Sequence, residues 1–434
     1  MSVKLRFSKP LQVVLGISAA LMALLGIAYA LTDIPSAASK FKENEAKAKA
    51  AGLFTSSEEF LATLEVPTNE NGATLMKMVL DEFTKNYESR KLFELNQKSL
   101  NTPLITASYQ EFDPFWKQVD QAAKLKYCIF PRNRKPLINA EYPELATLKS
   151  VVKFASLRAD VAVEQNQPQV AAEAWRRAAN VALVADDEPT LIGLLVRIAG
   201  EAIVEESMRK ALNRRGQDPA LRAAAWQTLQ LLDQPLDFAR TMKTEHVFAL
   251  EGFDSLARAQ TNLNEEWMTE DGNRLIRTYS KIPRAKLAAN SRIHEIYAEF
   301  YTRLGSDPYD SKKIENASNW MDRELESKNG LSYILPKILM PVFSQAGKAC
   351  SKTYAQRNVL MQAIKLLENP TQRDLPLKGR YALDSDGKPL RLTWDKNQRI
   401  IYSIGPNFKD DGGVIERPKS GGSLDYDYGV AIPK

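Results

Sequence analysis

Residues able to do chemistry are few in this chain. Of 434 residues, two are histidine, His246 and His294, and two are cysteine, Cys128 and Cys350. There is no Gly-x-Ser-x-Gly elbow, no Gly-x-x-x-x-Gly-Lys phosphate loop, no Cys-x-x-Cys and no His-Glu-x-x-His. A nucleophile paired with a histidine would have to use His246 or His294. No nucleophile is marked near either, and each reads as a helix-surface or partly packed residue. Adjacent acids at Asp186-Asp187-Glu188, Glu205-Glu206 and Glu265-Glu266 are the candidates for paired-carboxylate hydrolysis. Neighbouring residues on a helix point in different directions, so these read as solvated faces and caps. Six tryptophans, Trp116, Trp175, Trp226, Trp267, Trp320 and Trp394, fall one per segment, as core anchors do. No catalytic residue is assigned, and the chain is read as a non-enzyme.

The element that places everything else is Leu11 to Leu31, uncharged, with Gln12, Ser18 and Tyr29 as its polar interruptions. As a helix it is about 30 Å long at ~1.5 Å per residue, the thickness of a bilayer core. Residues 1–10 form a basic head with Lys4, Arg6 and Lys9, which the positive-inside rule keeps in the cytoplasm. The expectation is a single-pass inner-membrane protein with its bulk extracytoplasmic, in the periplasm. Ala28-Tyr29-Ala30 also fits a signal-peptide cleavage site, although the apolar run exceeds the roughly 7–15 residues of an ordinary signal core.

The rest is ordinary globular chain, 44% apolar and 26% charged. Lys4, Arg6 and Lys9 supply half of the net charge of +6, so no concentrated basic face argues for nucleic acid. Cys128 and Cys350 either pair in an oxidising envelope or stay as buried thiols; Tyr127-Cys128-Ile129-Phe130 is apolar enough for the second.

Periodicity predicts a mainly α chain. Residues 32–54 form a stalk or linker, whose alanine- and lysine-rich part, Ser36 to Ala51, reads as a juxtamembrane helix or stalk, 55–370 a helical extracytoplasmic domain, and 371–434 a small β-region. Ser56 and Glu59 make a capping box. Leu75, Val79, Phe83 and Tyr87, with Met76 and Leu80, place one apolar stripe on a helix. Asp113-Pro114, Asp218-Pro219 and Asp307-Pro308 each read as an N-cap followed by proline in the first helical position. Helices are expected from Pro143 to Gln165, Gln169 to Ala185, Pro189 to Arg214, Pro219 to Asp233, and Pro235 through Ala259.

In the first two, Ala155, Ala159 and Ala162 face Ala171, Ala174, Ala178 and Ala182, either one unit of a tetratricopeptide-like array or part of a plain bundle. Leu331 to Phe343 is too short to span a membrane and reads as buried or interfacial. After a last helix from Tyr354 to Leu367, alternation predicts strands at Arg380 to Leu383, Pro389 to Trp394, Arg399 to Ile404 and Asp425 to Ile432. Asp386-Gly387 is the first turn and Gly405 to Ser423 a Gly/Asp-rich loop.

The run Gly387-Lys-Pro-Leu-Arg-Leu, followed by Ile401-Tyr-Ser-Ile-Gly-Pro-Asn-Phe-Lys-Asp-Asp-Gly-Gly413, resembles the C-terminal β-region of type II secretion major pseudopilins. In that family the loop binds calcium. The resemblance implies Asn407 at the first acidic position, with Asp410, Asp411, Asp425 and Asp427 as further oxygen donors, a set that suits a hard cation. Aspartate and glycine also build turns by themselves. Leu11 to Leu31 lacks the glutamate of a pseudopilin helix, so fibre assembly is not implied.

The order of anchor, charged stalk, Gly52-Leu-Phe-Thr55, Asn71-Gly-Ala73, alanine-rich helices and Tyr402-Ser-Ile-Gly405 resembles bacterial single-pass envelope proteins to which no activity is attached. The expected role is a membrane-anchored scaffold or interaction protein whose partner is another envelope protein. An accessory of a secretion or pilus-like system and an envelope hydrolase are the alternatives.

Overall fold

Alanines at helical spacing let two helices of the chain pack closely. Helix α6 (Glu144–Glu164) and helix α7 (Pro168–Leu183) bury Ala155, Ala159 and Ala162 against Ala171, Ala174, Ala178 and Ala182. Asn166, at φ 57°, reverses the chain between them. Asn166 N–H donates to Val163 O and Gln167 N–H to Ala162 O, so the turn satisfies the carbonyls at the end of α6.

The structure, a computed structural model, describes residues 33–86, 102–257, 282–328, 330–395, 398–404, 409–415 and 427–433. The expected span Leu11 to Leu31 lies outside them, and among the described residues no helix is long and apolar enough to cross a membrane.

A second hairpin follows the first. Thr190 accepts from Gly193 N–H to start α8 (Leu191–Arg215), and Asp218 accepts from Ala220 and Leu221 N–H to start α9 (Pro219–Leu232), as expected. Helix α8 packs on α6 and α7, α9 packs on α7, and α14 (Pro341–Glu368) takes the next place against α8 and α9. On the far side lie α3 (Ala73–Asn86), α4 (Thr102–Glu111) and α5 (Asp113–Ala122). The apolar stripe of α3 is buried as predicted at Met76, Val79, Leu80 and Phe83, where Phe83 meets Phe112 and Phe154.

A second core interrupts this stack. It contains α1 (Phe41–Ala50), α10 (Phe238–Ala257), α11 (Pro283–Leu304), α12 (Ser311–Ser327) and the short α13 (Ile334–Leu339), gathered around Met242, Ile293, Tyr297, Phe300, Met321 and Phe343. Two helices belong to both cores. Helix α8 gives Leu194 to the second and Val204 and Met208 to the first, while α14 gives Cys350 to the second and Val359 and Ile364 to the first. Helix α2 (Ser57–Ala62) starts at the expected capping box, with Glu59 reaching back to Thr55 N–H at 2.7 Å.

The chain closes with an antiparallel sheet of β1 (Arg391–Asp395), β2 (Gln398–Ser403) and β3 (Tyr428–Pro433), in that order, and Ile401 pairs with Val430. Ile401, Val430 and Ile432 seal the first core at α14 and α8.

Two expectations are corrected. Arg380 to Leu383 is not a strand: Gly379–Ala382 is a 3-10 turn, because Asn358 and Gln362 donate side-chain N–H groups to the carbonyls of Arg380, Leu383, Leu377 and Tyr381 that a ladder would have used. Asp113 opens α5 without capping it, and Asp307 turns onto Tyr309 N–H while Asp310 caps α12. The described part of the 32–54 segment is largely helical. Helix α1 lies along α11, with Ala48 buried and Asn44 Nδ2 donating to Ser291 Oγ at 3.0 Å.

Gly200 marks a tight helix approach. A Cβ there would stand 2.9 Å from Ala182 Cβ, inside contact distance. Gly200→Val is therefore expected to cost about 1–3 kcal/mol through overpacking of α8 on α7, measured as a lower urea midpoint.

Candidate functional site

The acids Asp186-Asp187-Glu188 lie between α7 and α8, where a 3-10 turn, Val184–Asp186, turns the chain. Read from sequence as solvated, they are instead drawn into the protein, each with its own partners. Both Asp186 carboxylate oxygens accept from Arg197 Nη1, at 3.1 and 3.0 Å. Asp187 accepts the Cys128 main-chain N–H, and burial together with the neighbouring Asp186 charge pushes its carboxyl up to about 7. Glu188 takes Arg134 on both oxygens, at 2.8 and 2.7 Å, with Arg132 at 3.3 Å and the Tyr142 hydroxyl at 3.2 Å.

From Asp186 the charges run inward as a chain. Arg197 Nε donates to Glu201 at 2.8 Å, Arg357 Nη2 donates to the other Glu201 oxygen at 2.5 Å, and Arg357 Nε donates to Glu205 at 3.0 Å. Glu201, Glu205 and Arg357 are at most 1% exposed. Burial raises Glu205 to about 8, against the pull of Arg357. The folded value lies above the ordinary 4.5, so folding takes up a proton here; that stability is full below pH 4.5 and is lost as pH rises through 8. Sequence reading missed this chain. Its signal was the spacing of Arg197, Glu201 and Glu205 on the stripe of α8 that also carries Leu194, Val204, Met208 and Leu212.

The outward consequence is an irregular ridge over 128–136, tied down at several points. Asn71 holds it like a strand partner, donating from Nδ2 to Ile129 O at 2.9 Å while Oδ1 accepts Ile129 N–H at 3.0 Å. Gly72 N–H donates to Tyr127 O, an approach close enough that a Cβ on Gly72 would press Ala122 at 3.1 Å. Arg134 Nη2 donates to Phe130 O, and Arg132 stacks 4.2 Å over the Tyr142 ring while pairing with Glu144. Arginines in a proline-bounded loop were the sequence signal for this clamp.

Two clefts flank the ridge. One, of about 790 Å³, lies between α3 and the start of α6, with Lys77, Leu80, Phe130, Asn133, Lys135 and Glu144 in its walls. The other, of about 580 Å³, lies against Leu64, Val66 and Pro67. A third cleft of about 360 Å³ opens on Asp186, Asp187, Arg197 and Arg240. Asp187 can exchange a proton there near neutral pH. The nearby Cys128 is poorly suited as a nucleophile, because burial drives its thiol far above the ordinary range.

The residues expected to hold calcium are otherwise engaged where they are described. Asp410 accepts from Arg391 Nε at 3.0 Å, the Tyr402 hydroxyl at 3.1 Å and Gly412 N–H at 3.0 Å. Burial works to raise Asp410, yet Gly412, Tyr402 and Arg391 hold it below the usual carboxylate range. Asp427 is fully buried and accepts the N–H groups of Gly413 at 2.8 Å and Asp411 at 3.4 Å. Asn407 and Asp425 lie outside the described residues. Among the described residues no group of three or more His, Cys, Asp or Glu is arranged to hold a metal ion.

The two histidines are not on the surface: both are buried, on α10 and α11, with ring centroids 5.0 Å apart. Cys128 and Cys350 are free, buried thiols. Comparison with known proteins returns no matching family model, no similar curated protein and no similar solved structure.

Removing Glu201 leaves two buried arginines short of a counter-charge, whereas burial already favours the neutral form of Glu205. Glu201→Gln is expected to cost about 3–5 kcal/mol and Glu205→Gln less than about 1 kcal/mol, measured by urea unfolding at pH 7. Calcium at a hundred times its Kd would add about 2.7 kcal/mol to a chain that binds it. With Asp410 and Asp427 turned to Arg391 and main-chain N–H groups, added calcium is expected to leave the thermal midpoint in place; a rise of several degrees would show that the ion displaces Arg391.

Proposed function

We propose that this chain is a membrane-anchored extracytoplasmic scaffold that receives an extended segment of another envelope protein along the 128–136 ridge. One observation carries the reading. In a mainly helical molecule, a stretch of irregular backbone is pinned from behind by Asn71 and Glu188 and leaves clefts of about 790 and 580 Å³ along its two sides. A loop made rigid by a buried scaffold is where proteins commonly present binding groups.

The cleft walls suit a peptide more than a small charged ligand. Leu80, Phe130 and Pro131 give apolar floor, while Lys77, Asp81, Asn133, Lys135 and Glu141 put both signs of charge and an amide at the rim. A partner strand laid across them can bury alternate side chains and keep its polar groups paired. The membrane anchor in this reading rests on Leu11 to Leu31 and its basic head.

A photo-crosslinking residue placed at Asn133 or Lys135 in the full chain, in intact membranes, is expected to give one discrete adduct, while the same residue at Lys313 gives none. Glu188→Gln, which loosens Arg132 and Arg134, is expected to reduce the adduct several-fold. Equal labelling from all three positions would overturn the ridge as the docking site, and an adduct identified as a secretion component would select the secretion-accessory role.

A further inference from the structure

The chain's two histidines stand together although they are far apart in sequence. His246 on α10 and His294 on α11 are 0% and 1% exposed, with their rings 5.0 Å apart at 66°. Both touch the same strap, residues 41–54. His246 Nδ1 lies 2.8 Å from Phe54 O, which makes Nδ1 the protonated nitrogen of the neutral ring and leaves the buried Nε2 without a partner. His294 carries Phe41 edge-on at 5.4 Å, and its own Nδ1 is buried without a partner. One histidine thus bonds the end of the strap and the other packs its beginning.

We infer that the His246–His294 pair is an acid-sensitive clasp whose protonation frees the strap 41–54 from α10 and α11, uncoupling the body from the segment that precedes it.

The pair is stable only while neutral. A proton on one ring places a charge among Phe41, Tyr297 and the other ring, and a second proton sets two like charges 5.0 Å apart out of water. Several charged groups of the surrounding elements have partners of their own. On α1, Glu43 holds Lys47 at 2.6 Å. On α10, Glu245 accepts Leu191 N–H at 2.8 Å and Lys243 lies over the Tyr301 ring. On α11, Glu295 holds Arg292 at 2.6 Å, Arg292 also reaches Asp33 and covers Tyr333, and the Tyr297 hydroxyl donates to Glu245 O. Among the described residues none of these groups hydrogen-bonds either imidazole.

Burial lowers His246 to about 3, with the His294 charge adding to the effect, and burial lowers His294 to about 4, from an ordinary 6.5. Folded values below the ordinary one mean that the closed state is fully favoured above pH 6.5 and weakens as pH falls from there toward 4. Between pH 7 and 5 each ring weakens the closed state roughly 25-fold against an open state with ordinary histidines.

Hydrogen exchange of the full chain, corrected for intrinsic rates, tests the clasp. Amides of 41–54 are expected to lose at least about 25-fold of their protection between pH 7 and 5 while those of α6 and α7 hold theirs. In the double variant His246→Asn, His294→Phe, asparagine keeps an N–H for Phe54 O and phenylalanine keeps the ring, so protection at pH 5 is expected to match pH 7. If that variant does not fold, His246→Asn alone is expected to halve the logarithm of the loss. Unchanged protection of 41–54 at pH 5, an equal loss in α6 and α7, or a variant that opens as the parent does would each overturn the clasp.

Discussion

Glu201 is the carboxylate on which the architecture turns. It accepts from Arg197 on its own helix and from Arg357 on α14, at the level where α8 and α14 pass from one hydrophobic core to the other. Two cores joined only by apolar contact could slide; a bidentate carboxylate between two guanidinium groups fixes their register. Such a pair is weak evidence for net stability, since desolvating the charges opposes their attraction, and its physical effect is to penalise any arrangement in which Glu201 loses a partner.

The same chain of charges reaches the surface through Asp186, and its neighbours Asp187 and Glu188 carry the order onward to Cys128, Arg132 and Arg134. Three consecutive acids therefore couple the seam between the cores to the irregular ridge. This explains how a segment with little secondary structure of its own can stay in place: its shape is imposed by groups anchored in α7 and α8. Sequence neighbours point in different directions, and here that divergence lets one short connection hold three separate elements.

Helices were legible because their signals are local. The alanine spacing of α6 and α7, the Asp218-Pro219 cap and the stripe of α3 all depend on residues within a few turns of one another. Small glycine-led turns such as Asp386-Gly387 read correctly for the same reason. What escaped was set by distant partners. Arg357 finds Glu201 across 156 residues, Arg134 finds Glu188 across 54, and Asn358 and Gln362 convert an expected strand into a turn by taking its carbonyls. The histidines were misplaced because their helices carry polar neighbours, Glu245 and Glu295, while the docking of α1 and residues 52–54 helps to cover them.

The state of Cys128 and Cys350 carries a consequence for how the molecule comes into being. Neither sulfur is joined to another and both are shielded from solvent, with ionisation suppressed by their surroundings. No covalent crosslink has to be made or proofread for the chain to reach its final form. The folded protein holds its shape without a disulfide, and its buried sulfurs offer little thiolate for exchange.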